Sequence, residues 1–86
     1  MLHLPILALC VLAAMASTAS GETRCEVAIA QFRAVIDNDE RTGNLNEAVY
    51  RRMGPELRQV SAECASGREA EAIRALAAVK HRHGYH

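Results

Sequence analysis

The sequence predicts a small all-α fold, an antiparallel bundle of about three helices stapled by one disulfide. Three observations carry this expectation. A capping side chain followed three residues later by Glu marks a helix start, and it occurs at Thr23 with Glu26, Asn44 with Glu47 and Ser66 with Glu69. Apolar residues recur at helical spacing, and no stretch alternates at period two for long enough to make a strand. Two cysteines, Cys25 and Cys64, remain once an N-terminal leader is set aside.

That leader is the stretch "MLHLPILALCVLAAMASTASG". Its apolar run from Leu4 to Ala16 passes into small residues and then into Glu22-Thr23-Arg24, as in a secretory signal peptide. Ala14-Met15-Ala16 and Ser17-Thr18-Ala19 both supply small-x-small cleavage patterns. The chain is therefore divided into a signal peptide at 1–20 and a single helical domain at 21–86 ending in a short His-containing tail. The run falls short of the ~20 apolar residues a spanning helix needs and contains Pro5, which argues against a membrane anchor. Cys10 lies inside the run without a small residue before it, so a lipid anchor is not expected there.

About 66 residues are left, a core too small to be comfortably stable alone. An even pair of cysteines in an exported chain reads as a disulfide. Closing a loop of roughly 40 residues removes unfolded-state entropy worth about 4 kcal/mol in the chain-entropy model. The expected location is periplasmic or secreted.

The first helix should run from the Thr23 cap to about Asp37, with Cys25, Ala28, Ile29, Phe32, Val35 and Ile36 on its apolar stripe. Behind the second cap, Leu45, Val49, Met53, Leu57, Val60 and Cys64 continue one stripe, with a kink or break expected at Gly54-Pro55. The third helix carries Ala70, Ile73, Leu76, Ala77 and Val79 and stops near Gly84. Cys25 in the first turn of one helix and Cys64 in the last turn of the next imply antiparallel packing.

Ten basic and ten acidic residues cancel, which argues against nucleic acid and membrane-lytic functions, both of which call for a basic excess. The distribution is uneven: Glu22 to Glu47 holds six acids against three arginines. At its centre is "DNDERTGNLNE", with Asp37, Asp39, Glu40 and Glu47 expected around an interhelical glycine turn. Placing Gly43 at position 6 of a calcium-binding loop puts Asn38, Glu40, Thr42 and Asn46 at ligand positions but Val49 at position 12, where a bidentate Glu belongs. Starting at Asp37 instead brings Arg41 to a ligand position. Neither register is a complete EF-hand, and a less regular hard-cation site is the alternative. One loop offers fewer oxygens than the 6–8 that calcium takes, so a metal-dependent homodimer sharing one ion is the preferred form.

The segment resembles the small exported calcium- and lanthanide-handling helical proteins of methylotrophic bacteria, of the landiscernin-like or lanmodulin-like kind. That resemblance covers about a dozen residues. It implies periplasmic binding of a lanthanide or calcium ion, with Asp37, Asp39, Glu40 and Glu47 as the residues that match in kind, and it departs from the pattern at Val49.

The chain ends "KHRHGYH", and His81, His83 and His86 form a second, lesser metal candidate for zinc, copper or nickel. The alternative is that Lys80, His81, Arg82 and His83 complement the negative end of the third helix. Arg51 and Arg52 beside Tyr50 suit either a small anion site or a solvated face. Catalysis is not expected, because no nucleophile adjoins a base, no glycine loop suits a phosphate and the chain is too short to enclose a pocket. A second class of function is a metal-free stapled module that binds an envelope or periplasmic protein partner through Val49, Met53 and Leu57 or through the alanine-rich third helix.

Overall fold

Thr23 starts the first helix as its sequence demands. Its side chain accepts from the Glu26 amide at 3.2 Å while Glu26 accepts from the Thr23 amide at 3.1 Å, closing the reciprocal cap. The computed structural model describes residues 23–86, so the signal peptide read at 1–20 and Cys10 lie outside the described residues. Three helices follow: α1 Arg24–Arg41, α2 Glu47–Ala65 and α3 Glu69–Arg82. Among the described residues there is no strand.

The other two helix starts differ from the sequence expectation, and the cause is the shortness of the connections. Asn44 is committed to ending α1, since its amide donates to the Asp39 carbonyl at 2.8 Å. The cap of α2 is therefore Asn46, which accepts from the Ala48 and Val49 amides. Ser66 likewise belongs to the end of α2, where its hydroxyl donates to the Ala62 carbonyl at 3.0 Å. Helix α3 then begins at Arg68 with no side-chain cap, and Glu69 and Glu71 in its first turn favour its positive end instead.

All three helices end alike. A residue two beyond each C-cap donates to the carbonyl five positions back while the intervening glycine donates to the one three back, the Schellman arrangement. At α1 the glycine is Gly43, with φ of 82°. A Cβ is costly in that region of backbone space, so glycine is required there. This stop lies beyond Asp37, and α1 runs four residues further than the spacing suggested. Asp37, Asp39 and Glu40 thus belong to the last turns of a helix, and the interhelical connection is reduced to 42–46. A twelve-residue calcium loop over this segment is incompatible with that helix.

Helix α2 continues through Pro55. The clash that normally bars helix before proline involves the preceding Cβ, and Gly54 has none. Cys25 and Cys64 are joined with Cα atoms 6.1 Å apart, which fixes the start of α1 against the end of α2 in antiparallel order.

The core consists of Cys25, Ile29, Phe32 and Ile36 from α1, Met53, Leu57, Val60 and Cys64 from α2, and Ala72, Leu76 and Val79 from α3. Leu45, Val49 and Tyr50 pack at its edge. Met53 and Leu57 are fully buried, so they are not available to a partner, and the docking stripe expected there is corrected. On α3 the buried face is Ala72, Leu76, Val79; Ala70, Ile73 and Ala77 are exposed. Leucine and valine set the face, and Ala72, one turn before Leu76, permits the close approach. Val35 is also exposed at 47%. No helix of the described residues is long and apolar enough to cross a membrane.

Candidate cation site at the end of the first helix

Positions 37 and 39 are about 200° apart around a helix, so their side chains meet different neighbours. Asp37 faces α2 and accepts from the Tyr50 hydroxyl at 2.6 Å. Asp39 accepts at 2.7 Å from the hydroxyl of Tyr85, which follows α3. Glu40 lies three residues after Asp37, on the same side of α1, and its charge reaches Tyr50 as well. Glu47, in the first turn of α2, pairs with Arg51 at 3.0 Å. Of the four predicted ligands, then, Asp37 and Glu40 share a side, Asp39 turns to the C-terminal segment and Glu47 is engaged separately.

The tyrosines register these charges. The hydrogen bond to Asp37 is the main cause that raises the Tyr50 pKa, followed by desolvation and the charges of Asp37 and Glu40, with Arg33 opposing. Burial first, then the bond to Asp39 and its charge, push Tyr85 up to about 12. Ionising either hydroxyl would remove a donor and set a second anion beside a carboxylate.

Among the described residues, Asp37, Asp39 and Glu40 make no ion pair, although Arg33, one turn before Asp37 on α1, is near enough for its charge to act on Tyr50. Arg41 donates to Asn38 at 3.0 Å, and the ion pairs join Arg24 with Glu69, Arg51 with Glu47, Arg68 with Glu71 and Arg82 with Glu56, which also hydrogen-bonds His83. Three carboxylates without an ion pair thus lie in the last turns of a helix whose end already carries partial negative charge. Among the described residues no group of three or more His, Cys, Asp or Glu side chains could hold a metal.

The three predicted histidines also separate. His83 hydrogen-bonds Glu56 at 2.8 Å, while His81, still within α3, lies beside His86. Spacing gave no sign of Tyr50 and Tyr85 as partners of the acids. The usable signal was compositional, because these are the chain's two tyrosines and each has a hydroxyl that needs an acceptor when partly buried.

Fold and site define the class: a disulfide-stapled three-helix bundle with an acidic, tyrosine-buttressed helix end. Comparison of the chain with protein-family models, curated sequences and solved structures finds no match.

Proposed function

We propose that this is an exported, periplasmic or secreted, metal-binding protein whose α1 C-terminal turn takes a hard cation of the lanthanide or calcium class, with a second copy completing the ligand set. The observation that carries this is the state of Asp37, Asp39 and Glu40, which make no ion pair, the two aspartates accepting instead from tyrosine hydroxyls. A tyrosine hydroxyl orients a carboxylate without cancelling its charge, as outer-shell partners of metal ligands do. Each aspartate keeps a second oxygen beyond the one its tyrosine bonds. The ligand number that calcium and larger trivalent ions require exceeds what one chain offers, which favours an ion shared across a two-fold axis. The disulfide suits an oxidising compartment.

Calcium and lanthanum titrations, followed by melting temperature and by mass from light scattering, test the proposal. It predicts a higher melting temperature and a doubled mass, both lost in Asp37→Asn/Glu40→Gln. Absence of both responses in the unmodified chain would sink it. A second, metal-free reading rests on an open groove of about 370 Å³ in which Ile29, Ala30 and Ala34 lie between Glu26, Arg33 and Asp37. A stapled module binding a periplasmic or envelope protein there responds to neither cation.

A further inference from the structure

The end of α3 brings together a different set of ion-binding side chains. Gly84, with φ of 85°, reverses the chain; its amide donates to the His81 carbonyl at 3.2 Å and that of Tyr85 to the Lys80 carbonyl at 2.7 Å. This turn sends Tyr85 back onto Phe32, with ring centroids 5.2 Å apart. It also returns His86 to the last turn of α3, where its ring lies 5.1 Å from that of His81 with the planes 67° apart. Both rings are exposed.

The rings meet edge to face, a separation that also admits a shared ion once their nitrogens turn toward it. With a metal–nitrogen bond of about 2.1 Å, each ring centroid would stand about 3.2 Å from a bound ion, and a ligand angle of about 105° would set the two centroids about 5 Å apart. The neighbouring cations are drawn aside, Arg82 toward Glu56 at 3.9 Å and Lys80 over the Phe32 ring at 5.4 Å. The negative end of the α3 dipole adds a further attraction for a cation.

We propose that His81 and His86 form a two-imidazole site for a borderline divalent ion, zinc, nickel or copper, with water in the remaining positions. Imidazole selects these metals as carboxylate oxygen selects calcium, so this site is chemically distinct from the acidic end of α1. His83, fixed on Glu56, is not part of it.

Calorimetric titration of the full chain with zinc and with nickel tests the assignment. One ion per chain is expected. His81→Ala and His86→Ala each weaken binding by about tenfold or more, His83→Ala by less than about twofold, and Asp37→Asn/Glu40→Gln leaves the isotherm unchanged. Both histidines are exposed, and circular dichroism of each variant checks that the helices remain. No binding by the unmodified chain, unchanged binding in either single variant, or equal loss in His83→Ala or in the acidic double variant would overturn the proposal.

Discussion

The hydroxyl of Tyr85 donates to Asp39 at 2.7 Å across a sequence separation of 46, tying the last residues of the chain to the end of the first helix. The same ring packs edge-on against Phe32, so one side chain closes the open end of the bundle with both apolar area and a charge-assisted hydrogen bond. Tyr85→Phe keeps the ring and removes the bond. It should cost about 1 kcal/mol, a fall in melting temperature of roughly 4–8 °C for a domain of this size. Thermal denaturation monitored at 222 nm would read this directly, and an unchanged midpoint would show the bond to be worth nothing.

The two tyrosines also predict the alkaline limit of stability. Both hydroxyls have folded-state pKa values above the unfolded value of 10, and Tyr85 reaches about 12. For a group raised in this way, the folded state binds more protons between the two values. Its stabilisation is complete below pH 10 and lost as pH rises toward 12. Absorbance titration at 295 nm is unusually clean here, since the chain has two tyrosines and no tryptophan. Ionisation in the folded chain should lag that of the denatured chain, and Tyr85→Phe should remove the later step.

Reduction of the Cys25–Cys64 bridge should be severe. The bridge spans 39 residues, worth about 4 kcal/mol in the chain-entropy model, against a total stability of about 5 kcal/mol or a little more for a domain this small. Melting with and without reductant should differ by tens of degrees, or the reduced chain should have no cooperative transition. A shift of only a few degrees would mean that packing alone sustains the bundle.

Core and surface positions should differ sharply in cost. Met53→Ala or Leu57→Ala empties a fully buried site and should cost about 2–5 kcal/mol. Ile73→Ala, at an exposed position of α3, should stay within about 0.5 kcal/mol. Gly43→Ala meets nothing within 4 Å yet must hold φ near 82°, so its cost of about 1 kcal/mol is one of backbone conformation. Urea midpoints of the four variants would order these terms.

Helix number, the staple and the α2 stripe were legible in the sequence because each is a local or strongly periodic signal. Cys25 and Cys64 at opposite helix ends specified the antiparallel pair, and Met53, Leu57, Val60 and Cys64 are buried as their spacing required. The errors in the helix boundaries share one physical origin. With connections of five and three residues, Asn44 and Ser66 could cap either the helix before or the helix after, and the glycine that follows or precedes each decided for the former. Once α1 extends to Arg41, the acids expected in a loop become a helix end. The partners of those acids, Tyr50 and Tyr85, are set by tertiary packing and left no mark in local spacing.

Terbium luminescence addresses the cation proposal most directly. Terbium substitutes for calcium or lanthanum and emits when a nearby tyrosine absorbs, and Tyr50 is bonded to the central carboxylate, Asp37, at 2.6 Å. On excitation near 280 nm, emission should grow and saturate at one ion per two chains, fall in Tyr50→Phe and vanish in Asp37→Asn/Glu40→Gln. Emission from the unmodified chain no greater than from terbium in buffer would contradict a hard-cation site at the end of α1.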